Sequence, residues 1–196
     1  MAAMLAEKNG LIHCGENYHH NVASKLITPD QNPNLCYFQT MKDWQEFVNR
    51  TPEEYERWIF GVIREVIEFE VAELIHISKD RKVIVDTNIP VDVLKRIAGY
   101  KQVAIMLSPQ SMSVDRFFDR SDPDKQYILA QIQKSENPEK TMRNFRECLS
   151  RINSKEHYDE MANSGFFTIV RENSDVDTRE ETLNILSKHF GFDDTV

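Results

Sequence analysis

The chain is predicted to be an α/β protein, with a parallel sheet flanked by helices. Three observations lead there. Residues 83–86 (Val-Ile-Val-Asp) form a short apolar, β-branched run closed by a carboxylate, which suits a strand buried on both faces. Helical patterns alternate with strand candidates along the chain, and no hairpin turn separates two strands. Pro90 suits the first position of a new helix, so Asp86 falls at a strand's C-terminal end, the edge where α/β sheets bind ligands.

Taken in order, residues 2–8 are good helix formers, and Asn9-Gly10 is a natural C-terminal stop. No capping residue precedes them, so this helix reads as the tail of something longer. Residues 11–14 are a strand candidate, residues 15–20 a polar turn and residues 28–34 a loop rich in Pro and Asn. A short helix is expected over 41–48. Thr51-Pro52-Glu53-Glu54 is a capping box with proline at the first position. The apolar rhythm from Tyr55 to Ile67 predicts a long helix behind it, extending toward Ser78. After the 83–86 strand come a helix over 91–97, with Asn88 a candidate cap, and a strand over 102–107. Residues 111–152 read as two or three helices, two of them opened by Asp122-Pro123 and Asn137-Pro138. Residues 166–170 are the last strand, and Thr178-Arg179-Glu180-Glu181 is a second capping box before the closing helix.

With 196 residues, 40% hydrophobic and 29% charged, the chain suits one globular domain over 1–196. The net charge of -8 argues against stable nucleic-acid binding or attraction to an acidic membrane. Cys14, Cys36 and Cys148 lack zinc-ligand spacing, so no metal site is expected and a reducing cytoplasm fits. The 44–58 aromatics (Trp44, Phe47, Tyr55 and Trp58) read as core rather than as a base-stacking platform.

The order of these pieces resembles the P-loop kinase family of small-molecule and nucleotide kinases. The resemblance rests on the helix tail and strand over 5–14, the long helix before Lys82-Val83-Ile84-Val85-Asp86, the strand over 103–107, an arginine-bearing helical segment and the ending His189-Phe190-Gly191-Phe192. It implies a three-layer nucleotide-kinase-like architecture with residues 111–152 as a helical lid. It also implies a strand and phosphate loop, G-x-x-x-x-G-K-[ST], that this sequence lacks. Gly10 to Asn17 copies the glycine spacing without the Lys or the hydroxyl. That absent strand is central in the family's sheet, so its loss would separate residues 83–86 from 103–107 and leave backbone groups needing partners. A misplaced start, a truncation or a protein that has dropped catalysis would each produce this, and the abrupt first helix favours loss of upstream residues.

What the resemblance implies for single residues follows from position. Asp86 stands where these kinases place an acid near magnesium or the substrate hydroxyl; a strand-end cap is the competing reading. Glu16, Tyr18, His19 and Asn88 match the region that binds the phosphoryl acceptor, or else a solvated loop and a helix cap. Arg116 and Arg120, four apart, would share one helix face and stabilise a transferring phosphoryl group, unless Asp115 and Asp119 pair with them. Lys125, Arg143 and Arg146 are further phosphate-binding candidates on the lid. ATP and Mg2+ are implied for a complete protein only, with a nucleoside, nucleotide or other small hydroxyl compound as acceptor and a homodimer left open. Two other functions are weighed: a non-catalytic interaction protein on a kinase fold, and a metal-dependent ribonuclease of the PIN type opening at Val85-Asp86-Thr87-Asn88.

Overall fold

The computed structural model describes residues 1–119, 121–171 and 176–192. The chain is mixed α/β, and its strands are few and short. Helix α1 (Ala2–Asn9) ends on Gly10 at φ 63°, the left-handed conformation that a glycine stop allows, and leads into β1 (Ile12–Cys14). Short helices α2 (His20–Ala23), α3 (Tyr37–Thr40) and α4 (Trp44–Val48) follow. The helix expected over 41–48 thus starts only at Trp44, and α3 lies before that range. Met41 is extended, and Asp43 starts α4 by accepting the backbone N–H groups of Gln45 and Glu46.

Helix α5 (Pro52–Ser78) opens on the expected capping box: Thr51 accepts from Glu54 N while the Glu54 carboxylate accepts from Thr51 N. Beyond it lie β2 (Val83–Val85), α6 (Val91–Ile97) and β3 (Ala104–Leu107). The α6 start corrects two expectations. Pro90 is the residue before the helix rather than its first, and Asn88 does not cap it. Thr87 ties the turn instead, its Oγ1 accepting from Ile89 N at 3.1 Å.

Helices α7 (Gln110–Val114), α8 (Pro123–Gln133) and α9 (Pro138–Ile152) come next, α8 and α9 capped by Asp122 and Asn137 with proline at the first turn. Helix α10 (Lys155–Ala162) stands where the sequence pattern raised no expectation; Ser154 caps it by accepting from His157 N. Strand β4 (Phe167–Val170) and helix α11 (Arg179–Phe190) close the fold. The second capping box does not form, because the Asp177 carboxylate takes Arg179 N at 3.0 Å and Thr178 makes no side-chain cap.

The strands form two separate parallel pairs. β1 pairs with β2 in the register Ile12↔Val83 to Cys14↔Val85, and β3 pairs with β4 from Ala104↔Phe167 to Leu107↔Val170. Among the described residues no ladder joins β2 to β3. Ile12 N donates to Lys82 O, and Asp86 N donates to Cys14 O. Parallel ladders alternate, so Val83 and Val85 turn their backbone groups away from β1. Arg171 N donates to Leu107 O, and by the same alternation Ala104 and Met106 face away from β4. With neighbours on one side only, β2 is half-buried rather than buried on both faces, and Met106 is exposed. Helices bridge the two pairs: α1 lies on β1 and β2, His189 of α11 stacks on Phe167 of β4, and α1 touches α11.

The main hydrophobic core lies among the helices. Phe47, Val48 and Tyr55 from α4 and α5 meet Val114, Ile132, Phe145, Cys148 and Leu149 from α7, α8 and α9. Residues 111–152 therefore contribute about half of the core. The three cysteines are free and buried, and burial pushes the Cys148 thiol up to about 11. No helix among the described residues is long and apolar enough to cross a membrane.

Candidate functional site

The turn after β1 and the turn after β2 meet, because parallel pairing brings both C-terminal ends to one edge. There Asn88 Nδ2 donates to Glu16 Oε1 at 2.6 Å. Tyr18 OH donates to the backbone carbonyl of Glu70, on α5, at 2.8 Å. His19, buried rather than solvated, sets Nδ1 3.6 Å from Glu70 Oε1. Thr87 Oγ1 donates to Glu70 Oε2 at 3.2 Å. Glu16, Asp86 and Asn88 are exposed at the rim, whereas Tyr18 is half-buried and Glu70 forms the floor.

Five sequence candidates, Glu16, Tyr18, His19, Asp86 and Asn88, thus belong to one strand edge. Glu70 and Thr87 were missed. A signal for Glu70 existed: it continues the apolar stripe of α5, four residues after Val66 and three after Ile67, where a carboxylate is out of place unless partnered.

Burial raises the Glu70 carboxyl above the usual range, the Thr87 hydrogen bond opposes this, and the Glu16 charge adds to it. Burial lowers the His19 imidazole, with the neighbouring His20 adding to the effect. The 3.6 Å spacing would suit an imidazolium beside a carboxylate, but loss of water disfavours charge on both groups and is the larger effect on each. Both shifts run toward the uncharged form, and the imidazole Nδ1 has no hydrogen-bond partner among the described residues.

A raised carboxyl pKa means that the folded state holds its proton to higher pH than the unfolded chain. Its contribution to stability is complete below the unfolded titration and is lost as pH rises through the folded one. The lowered imidazole acts oppositely: its contribution is present above the unfolded titration and is lost as pH falls through the folded one. Glu70→Gln removes only the first dependence. Urea unfolding should show the variant more stable than the wild type at about pH 8 and nearly unchanged at about pH 4. Equal stability differences at both values would mean that the Glu70 carboxyl titrates alike in the folded and unfolded chain.

The lid-side candidates lie elsewhere. Arg116 sits in a turn after α7 rather than on a helix, because that helix stops at Val114, so the expected shared face with Arg120 does not form through Arg116. Arg120 lies outside the described residues. Lys125 Nζ pairs with Asp122 at 3.0 Å and stands 5.6 Å from the Phe117 ring centre. Arg143 and Arg146, on α9, line a shallow cleft with Asp115, Glu139 and Glu147. Three acids against two cations leave that cleft net negative, which disfavours a phosphate there.

Gly10 to Asn17 does not make a phosphate cradle, since β1 runs through its middle. That segment therefore lacks the loop form of a phosphate cradle. Among the described residues no three His, Cys, Asp or Glu side chains gather into a set that could hold a metal ion. No protein-family model, curated protein or solved structure matches this chain.

Proposed function

We propose that this chain is the acceptor-binding body of a P-loop-kinase-like phosphotransferase, in which a strand and phosphate loop absent from these 196 residues complete the sheet. The observation that carries the reading is the break between β2 and β3. Two parallel pairs lie under touching helices, with backbone groups of Val83, Val85, Ala104 and Met106 turned away from their ladders. Parallel sheets usually have more strands than two, so an added parallel strand between the pairs would restore an ordinary sheet.

The strand edge supplies the acceptor side. Glu16 and Asn88, already joined at 2.6 Å, offer an acceptor and a donor to a ligand hydroxyl. Asp86, exposed at the end of β2, is placed to take a proton from such a hydroxyl as it becomes a nucleophile. The Glu70 and His19 pair holds the floor and fixes the turn behind Tyr18.

Calorimetry tests this. The 196-residue chain should show no submicromolar ATP–Mg2+ binding, whereas the same chain preceded by a strand and G-x-x-x-x-G-K-[ST] segment should bind it that tightly. Asp86→Asn in the extended chain should lower phosphoryl transfer by about 10²-fold or more. Submicromolar ATP binding by the 196-residue chain, or none by the extended one, overturns the reading.

A further inference from the structure

The second cleft worth following lies on the other half of α5. Arg50, between α4 and α5, lays its guanidinium carbon 3.6 Å from the Tyr37 ring centre and 5.4 Å from that of Trp58. Its backbone carbonyl is held by α9, accepting from Asn144 Nδ2 at 2.7 Å and Cys148 Sγ at 3.5 Å. The residue is thus clamped at both ends. Yet Arg50 Nη1 is buried and has no hydrogen-bond partner among the described residues. A charged N–H in that condition is costly, so it calls for an acceptor that the chain does not provide.

The neighbouring acids are otherwise engaged. Glu46 accepts from Tyr37 OH and Lys42 N, both at 3.0 Å, and Glu54 accepts from Thr51 N at 2.9 Å and Thr51 Oγ1 at 3.1 Å. The Asn49 amide oxygen is taken as well, accepting from Thr141 Oγ1 at 2.9 Å. The cleft, about 310 Å³, is also lined by the exposed guanidinium of Arg57 and by the Trp58 ring.

From this we infer that the cleft at Arg50, Arg57 and Trp58 binds the oxyanion group, phosphate or carboxylate, of a small molecule whose flat or apolar part rests against Trp58. Arg50, held by the Tyr37 ring and by α9, supplies one guanidinium at the cleft wall, and Arg57 the second charge. The aromatic wall favours a planar body over a bare ion. Trp58 and Glu70 are twelve residues apart on α5, about 18 Å at 1.5 Å per residue, so this is a site separate from the strand edge. It stands whether or not the chain is a phosphotransferase.

Tryptophan fluorescence reads it directly, since Trp58 is in the wall. The 196-residue chain is titrated with adenosine 5′-monophosphate, adenosine, inorganic phosphate and benzoate. A saturable change with adenosine 5′-monophosphate or benzoate, and none with adenosine, is expected. Response to the nucleotide alone assigns phosphate, and response to benzoate alone assigns carboxylate. Arg57→Gln, at an exposed position, should weaken binding about tenfold, and Arg50→Lys, which keeps the charge but loses the fork, by at least as much. If Arg50→Lys fails to fold, as circular dichroism would reveal, Arg57→Gln decides alone. No saturable response to any oxyanion overturns the inference, as does unchanged affinity in Arg57→Gln; Arg50 Nη1 is then satisfied by water.

Discussion

Phe145→Ala should destabilise the whole chain by about 3–5 kcal/mol, the usual cost of emptying a buried aromatic site. Phe145 is 1% exposed and touches the rings of Phe47, Tyr55, Phe117 and Phe118. Those partners come from α4, α5 and the turn after α7, so the ring joins the 111–152 segment to the rest of the helical core. Urea unfolding followed by tryptophan fluorescence, which reports Trp44 and Trp58, should shift together with far-ultraviolet circular dichroism. A segment able to swing as a detached lid would instead lose its own helices first and leave the tryptophan transition in place. The packing of Phe145, Cys148 and Leu149 argues for the joint transition.

Gly61→Ala should reverse the usual sign. Alanine in place of glycine inside a helix ordinarily gains about 1 kcal/mol. At Gly61 on α5, however, a Cβ would stand 2.5 Å from both Cγ and Nδ2 of Asn34. Asn34 has little freedom to retreat. Its N–H reaches both oxygens of Glu65 at 3.2 and 3.0 Å, its Nδ2 donates to Glu65 Oε1 at 2.5 Å, and its carbonyl accepts from Trp58 Nε1 at 3.1 Å. The net result should be a loss of about 1–3 kcal/mol, the range for overpacking a fitted site. The double variant Gly61→Ala with Asn34→Ala should recover much of the clash term, which a double-mutant cycle would expose as coupling. Stabilisation by the single variant would show that the 34–35 loop moves freely. Because Trp58 also walls the Arg50 cleft, a displaced loop should alter ligand response there as well.

Local signals were legible. Thr51, Asp122 and Asn137 cap helices as their spacing predicts, because a cap depends on residues within one turn of each other. Thr178 misled for the same reason in reverse: Asp177, one residue earlier, is a competing local acceptor and won. The strand edge was largely legible too, since residues that follow parallel strands collect at one end of the sheet whatever their partners. Arg116 was not, because its placement depends on where α7 stops, and Val114 turns into the core there.

The sequence by itself determined where the four strands and the longer helices other than α10 lie, that the strands would run parallel, and that Glu16, Tyr18, His19, Asp86 and Asn88 would sit at strand ends. These follow from periodicity, caps and breakers, which act over a few residues. Tertiary structure alone decided that Glu70 becomes the floor beneath His19 and Thr87, and that one nitrogen of the half-buried Arg50 is enclosed without a partner among the described residues. Each depends on groups distant in sequence, and burial next to them sets hydrogen bonding and charge, which no local pattern records.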